Sequence, residues 1–324
     1  MRILVVGGAG YIGAHMCKFL SEHGHEPVVC DNLSTGHRAA VRWGSLSETD
    51  IGNPEAIDLL LGSIRFDAVM HFAAASLVGE SVADPLKYYR SNIANTVNLL
   101  DAMRRHGVRR LVFSSTAAVY GEPKANLIDE RHPTSPLNPY GRTKRVIEQM
   151  LQDCVSAYGF KAVALRYFNA AGADPSGLIG EHHEPETHLI PRLLRRAAGD
   201  DLDVRIFGDD YDTIDGTCVR DYIHVNDLAD AHLRALQTLD LLPGFQVFNL
   251  GNGAGYTVRQ VVSAVESVIG RPLGIQVGAR RAGDPKALVA SSVRAREVLG
   301  WSPQWTDLTA IVESAWRWHQ KPAY

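Results

Sequence analysis

Cysteine is scarce in this chain of 324 residues: only Cys17, Cys30, Cys154 and Cys218, with no CxxC pair and no metal-ligand spacing. That excludes a disulfide scaffold and points to a reducing compartment. Charge of one sign is lacking too. Thirty-three Lys and Arg against 36 Asp and Glu give a formal net charge of −3, so no global positive field draws in nucleic acid or anionic lipid, and an anionic ligand needs a local site. No apolar run is long enough for a membrane-spanning helix. The run Ile3–Val6 is cut short by Gly7 and Gly8, which excludes the apolar core of a secretory signal, and the chain reads as cytoplasmic and mature from Met1. What is there is globular composition, 45% apolar and 21% charged, with no repeat or low-complexity tract.

Short apolar runs alternate with longer amphipathic ones. Ile3–Val6, Val28–Cys30, Ala68–Ala73, Arg110–Ser115 and Ala162–Tyr167 read as strands; being continuously apolar, they predict a parallel sheet covered on both faces. Helices are expected over Tyr11 to about His23, Pro85–His106 and Pro139–Tyr158, the last capped by Asn138 with Pro139 in its first turn. The fold class is therefore α/β, a doubly wound parallel sheet of Rossmann type with a smaller C-terminal substrate lobe. A dinucleotide-binding domain is expected over 1–172, rejoined by parts of about 218–255, where Val225–Gln237 and Phe245–Gly251 look core-like. Residues 173–324 mainly form the second lobe, with helices over Thr257–Ile269 and Asp307–Lys321.

Gly7, Gly10 and Gly13 fall between the first strand and the first helix, in VVGGAGYIGAH. Glycine there permits positive φ and lets the backbone approach a pyrophosphate, whose charge is met by free N–H groups at the helix start. The spacing is GxxGxxG rather than GxGxxG, and alone it is a weak signal, since a Gly-rich strand-to-helix turn can be only a tight connection. Asp31, about twenty residues on at the end of the second strand, adds specificity. A carboxylate there accepts from adenosine ribose hydroxyls and repels a 2′-phosphate, which predicts NAD over NADP. Asp50, after a third strand, is placed for the adenine edge. Tyr140 and Lys144, four apart at the start of a predicted helix, share a face. An ammonium near a phenol lowers a pKa that is otherwise about 10, so Tyr140 is expected to act as a base. Thr116, in FSSTAAVYG, brings a hydroxyl to the same reacting oxygen from beyond a strand's carboxyl end.

With Ser114 and Ser115, these residues resemble the extended short-chain dehydrogenase/reductase family over nearly the whole chain. HFAAASLVGES (His71–Ser81), LRYFNAAGA (Leu165–Ala173), DGTCVRDYIHV (Asp215–Val225) and RRAGDP (Arg280–Pro285) are similar to its UDP-glucose 4-epimerases. The resemblance implies that NAD is held also by Tyr11, Ile12, Asn32, Ile51, Phe72, Ala73, Ala74, Asn92, Ser114 and Tyr167, with Lys144 on the nicotinamide ribose. It implies a UDP-hexose bound by Asn169, Leu189, Phe207, Arg220, Tyr222, Arg281 and Asp284, the two arginines on the diphosphate. Guanidinium, always charged and bidentate, suits phosphate independently. The implied reaction takes hydride from C4 of the sugar to NAD and returns it to the other face of a 4-keto sugar. Tyr140 handles the O4 proton, and no net redox change results. A homodimer through the two long helices is implied as well.

Three further positions, counted among the substrate contacts, depart from the family's pattern. Ser76 stands where many members carry Lys, and His188 where the better-studied ones carry Asn, a donor with a different pH response. Leu288 stands where some carry Tyr beside the sugar, which leaves room for an N-acetyl group and makes UDP-GlcNAc/UDP-GalNAc the alternative substrate. A nucleotide-sugar dehydratase or decarboxylase needs acids after Thr116, where Ala117 and Ala118 move no protons. A non-catalytic NAD-binding regulator has no use for Tyr140 with Lys144. No metal is expected: EHHEPETH (Glu181–His188) is rich in ligands, but His183 and His188 lie five apart across Pro185, unlike HExxH, and the stretch reads as a polar loop. His71 reads as a hydrogen-bonded interior histidine.

Overall fold

Successive residues of the first strand point to opposite faces of its sheet, and both faces are buried. In β1 (Arg2–Val6), Ile3 and Val5 pack against Met16 and Leu20 of the helix Tyr11–Glu22 and Leu228 of the helix Val225–Thr238. Leu4 and Val6 pack against Ile57, Leu99 and Ile147 from three helices on the other side. The computed structural model, which describes residues 1–281 and 284–324, repeats this pattern through β2 (Glu26–Asp31), β4 (Ala68–His71), β5 (Arg110–Thr116) and β6 (Lys161–Tyr167), while β3 (Ser45–Glu48) is a polar strand at the sheet's edge. Two apolar faces per strand are why the runs read as continuous.

The seven strands of this sheet are all parallel, in the order Gln246–Leu250, β6, β5, β4, β1, β2, β3. Chain direction across the sheet reverses between β1 and β4, so a crevice opens beyond their carboxyl ends, the place where such sheets bind ligands. β4 stops at His71 because the Phe72 and Ala73 N–H groups both turn to the Val6 carbonyl, at 2.8 and 3.0 Å.

A second core gathers Leu193 and Leu194 from the helix Leu189–Ala198, Val261 and Val265 from Val258–Ile269, and Ile311 and Val312 from Leu308–Gln320. Thr257 and Gln260 form a capping box at one helix start, and the Asp307 carboxylate caps another.

Two elements differ from the sequence reading. The stretch Pro85–His106 is not one helix: Pro85–Tyr88 and Asn95–Arg105 are α-helical, joined by a π turn over Tyr89–Ala94. A π turn inserts extra residues without breaking the apolar pattern, so periodicity does not reveal it. The chain also returns to the first core later than about residue 255. The helix Val293–Leu299 and Trp301 pack there, and the Trp301 indole N–H donates to the Asp227 carbonyl at 3.0 Å.

Candidate active site

At the reversal point, β1 runs into the glycine turn. Gly7 has φ +83°, and a Cβ on it would meet the Ala73 nitrogen at 2.6 Å; a Cβ on Gly13 would meet the Gly7 carbonyl oxygen at 2.1 Å. These two glycines let backbone pack on backbone. Gly10 differs, since its Cβ would meet only the Gly7 oxygen, at 3.5 Å, and its open side faces away from the protein's own atoms. It also caps the helix Tyr11–Glu22 without a side-chain acceptor, whereas Asn53, Asn138 and Asp307 each supply one at other helices. The first N–H groups of this helix are thus left for an anion.

Asp31 closes the turn from β2. Its carboxylate accepts from Ala9 N at 3.0 Å and Leu33 N at 2.8 Å, which orients it beside the glycines and leaves acceptor capacity for ribose hydroxyls. An open glycine, uncapped N–H groups and a fixed carboxylate fit a dinucleotide such as NAD. Asn32 and Asp50 lie exposed beside this edge, and Ile51 is buried under it. Ile12 and Phe72 are half-buried against the first core, while Ala73 and Ala74 continue from the Gly7 contact. Tyr11 ties the turn to the end of the first lobe through a 2.6 Å bond from its hydroxyl to the Gly172 carbonyl. Asn92 is fully occupied within the protein: its side chain accepts from Ala75 N at 2.9 Å and donates to Ala75 O and Thr143 Oγ1, both at 3.0 Å. It shapes the loop beside the cofactor groove.

Asn138 caps the helix Pro139–Tyr158 by accepting from Gly141 N at 2.9 Å, which sets Tyr140 and Lys144 over the end of β5. Lys144 is buried, with its Nζ 2.8 Å from the Ser114 carbonyl and 4.7 Å from the Phe113 ring centre. Burial pulls its pKa down to about 7, partly countered by Glu148. The Tyr140 phenol is pushed above its ordinary value by burial and pulled back by the Thr116 hydroxyl. The ammonium donates to the Ser114 carbonyl and keeps its charge, so the acidifying role that the sequence suggests for Lys144 is a matter for experiment. Ser114 Oγ in turn pairs with the Tyr167 hydroxyl. Thr116 Oγ1 also accepts from Ala118 N at 3.1 Å, which fixes its direction.

The second lobe brings most of the remaining residues together. Asn169 and Tyr222 are register partners in a two-stranded sheet. Arg220 donates to Asp284 at 2.6 Å and to the Pro285 carbonyl at 3.0 Å, and Arg281 lies over the Phe207 ring, 3.9 Å from guanidinium carbon to ring centre. Ala282 and Gly283 of the RRAGDP stretch lie outside the described residues. Leu288 packs with Phe168 on the cluster of Ala117, Val119 and Tyr120, directly after Thr116. Leu189 begins its helix, His188 caps it, and Ser76 is exposed after β4.

The sequence reading missed the support behind these groups. Arg166 and Glu148 are both buried and bonded twice, at 2.6 and 2.8 Å. Ser115 donates to the same carboxylate at 2.7 Å, and Arg166 reaches the Tyr120 hydroxyl at 3.0 Å. The signal was an arginine inside an apolar strand, which needs a buried partner. His71 is an interior histidine at 3.0 Å from Thr96 Oγ1, kept neutral by burial, with a pKa of about 3.

Sheet, glycine turn and Tyr–Lys–Thr group together define an enzyme built around a nicotinamide dinucleotide, with a second lobe to hold what it acts on. The chain belongs to the NAD dependent epimerase/dehydratase family, which matches residues 3–251. It is 52% identical over 321 residues to the UDP-glucose 4-epimerase of Rhizobium meliloti (strain 1021), covering 99% of this chain and 97% of that one. The crystal structure of UDP-glucose 4-epimerase from Brucella ovis in complex with NAD aligns with a TM-score of 0.94 at 50% identity, covering 97% of each chain. That of the Bifidobacterium longum UDP-glucose 4-epimerase, in complex with NAD+ and UDP, aligns with a TM-score of 0.94 at 37% identity, covering 99% of each.

Proposed function

We propose that this protein catalyses the NAD-dependent 4-epimerisation of a UDP-hexose, interconverting UDP-galactose and UDP-glucose. The observation that carries it is the convergence of Tyr140, Thr116 and Lys144 at the carboxyl end of β5, beside a groove built for a dinucleotide and followed by two alanines. Epimerisation needs one proton-transfer group at O4, whereas dehydration needs further acids, and Ala117 and Ala118 supply none.

Gly7, Gly10 and Gly13 with Asp31 would hold NAD, which when bound supplies hydride uptake and return at C4. Tyr140 takes the O4 proton as the 4-keto sugar forms and gives it back when the opposite face is reduced. Thr116, fixed by Ala118 N, directs that hydroxyl. Lys144 keeps a cation near the reacting centre and a donor for the nicotinamide ribose. Arg220 and Arg281 meet the diphosphate, so the sugar is anchored through its nucleotide and turns about that link. Asp284 holds Arg220 in place, and Leu288 borders the sugar without adding a polar group.

Free Cys17, Cys30 and Cys218, all buried, support the reading of a reducing, cytoplasmic setting. Among the described residues no helix is long and apolar enough to cross a membrane. Exposed Leu86, Tyr89 and Val97 support a homodimer through that face. The test is direct: incubate purified protein, with and without added NAD, with UDP-galactose, UDP-GlcNAc, UDP-glucuronate and UDP-xylose in turn, and identify products by NMR. UDP-glucose from UDP-galactose is expected. No C4 epimer from any of them, with NAD supplied, overturns the reading.

A further inference from the structure

Four side chains between the strand Asn169–Ala171 and the helix Leu189–Ala198 turn one donor atom each toward a common point. They are Glu181, His183, Glu186 and His188, and their ligand atoms all lie within 4.8 Å of one another. His183 Nδ1 is 3.3 Å from Glu181 Oε1 and 3.4 Å from Glu186 Oε2, and His188 Nδ1 is 2.5 Å from Glu181 Oε1 and 3.7 Å from Glu186 Oε1. A tetrahedron with metal–ligand bonds of about 2.0–2.2 Å has donor–donor edges of about 3.3–3.6 Å. Three of the four separations fall on or next to that range.

The surroundings point the same way. The Glu181 and Glu186 side chains are 4% and 3% exposed, two buried carboxylates side by side, with His183 and His188 on the solvent side at 33% and 56%. Among the described residues no Lys or Arg pairs with either; their charged partners are these two imidazoles. Two buried carboxylates repel unless a cation is shared between them. His183 Nδ1 is itself buried and has no hydrogen-bond partner although it points between both carboxylates, as a lone pair waiting for a metal does.

We propose that Glu181, His183, Glu186 and His188 form a structural zinc site. Two imidazole nitrogens and two carboxylate oxygens suit zinc among divalent metals, and four protein ligands leave no open position for chemistry. The spacing that argues against HExxH does not bear on this site, because its ligands come from an irregular loop and not from one helix face. The ion braces the segment that joins the two lobes. The Glu181 carbonyl accepts from the Trp318 indole at 3.1 Å, and the His183 ring stands edge-on to Tyr11, 6.3 Å between centres.

The experiment counts metal in the untagged protein, which needs no turnover, so its outcome is separate from that of the epimerase reading. Protein dialysed against micromolar zinc and then metal-free buffer is expected to keep one equivalent per chain. Cobalt(II) loaded in its place is expected to give the intense visible bands of tetrahedral coordination. His183→Ala and Glu186→Gln are expected to weaken zinc binding by more than the roughly 10–100-fold that follows loss of an outer-shell partner. Should a variant fold poorly, the wild type decides: stripping with a strong chelator is expected to lower its melting temperature and expose residues 181–188 to protease, with zinc but not magnesium restoring both. Substoichiometric zinc in the wild type at micromolar supply, or uptake unchanged in both folded variants, overturns the proposal and leaves an ion-pair cluster of protonated histidines.

Discussion

Lys144 places its ammonium nitrogen 2.8 Å from the Ser114 carbonyl oxygen, which fixes that cation at the end of β5. Burial raises the pKa of the Tyr140 phenol, and the Thr116 hydroxyl lowers it.

Tyr140→Phe is expected to lower kcat by about 10²–10⁴-fold, the usual worth of a positioned acid–base group, with bound NAD retained. Thr116→Val should cost only about two- to tenfold, what one neutral hydrogen bond of about 0.5–1.5 kcal/mol supplies. The base form of Tyr140 fills as pH rises, so the rate of the wild type should climb with pH on its alkaline side. A positive charge close to a phenol favours the phenolate, so Lys144→Met should move that climb to higher pH. Steady-state pH profiles check both; an unmoved limb contradicts a role for the cation in tuning the phenol.

The glycine turn separates packing from binding. Gly13→Ala places a Cβ 2.1 Å from the Gly7 carbonyl oxygen and should destabilise the fold. Gly10→Ala finds room within the chain, at φ −83° and ψ 174°, so its melting temperature without NAD should match the wild type. Its added methyl occupies the ligand's side, and NAD affinity should fall about tenfold or more, at least about 1.4 kcal/mol. Calorimetry on both variants tests this.

Behind Lys144, removing one member of the buried Arg166–Glu148 pair should destabilise the protein by about 3–5 kcal/mol, because a buried charge is left uncompensated. Arg166→Met alone should show this in chemical denaturation. The double variant Arg166→Met/Glu148→Leu should recover much of the loss, and a strictly additive double variant contradicts the coupling.

Acid should unfold the cofactor-free protein through its interior histidines. Burial lowers His71 and His224 to about 3 and His232 to about 4. The unfolded chain protonates these rings below about 6.5, while the folded chain holds them neutral until the lower values. Across that window the unfolded state binds more protons, so stability is full above about pH 6.5 and falls as pH drops toward 4. Denaturant midpoints at a series of pH values measure the slope, and a flat profile over that range contradicts it.

How much of this was legible in the sequence depends on where each signal lay. β1, β2, β4, β5 and β6 announce themselves because both faces of each are buried, and Gly7 and Asp31 stand at strand ends and Tyr140 at a helix start, where local spacing carries meaning. Arg166 and Glu148 lie eighteen residues apart on a strand and a helix, so only packing reveals their pairing. The π turn at Tyr89–Ala94 keeps the apolar rhythm of a helix and hides within it. The return of Val293–Trp301 to the first core rests on Ala295, Leu299 and one indole, too short a pattern to read. Glu181, His183, Glu186 and His188 meet through a loop whose path no periodicity describes.

UDP-galactose carrying deuterium at C4 puts the central claim to its most direct test. If hydride leaves C4 and comes back to the opposite face within one site, NMR will show UDP-glucose with deuterium still at C4 and no lasting rise in reduced nicotinamide absorbance. Loss of the label to solvent, or reduced cofactor accumulating in step with a ketone product, contradicts the account.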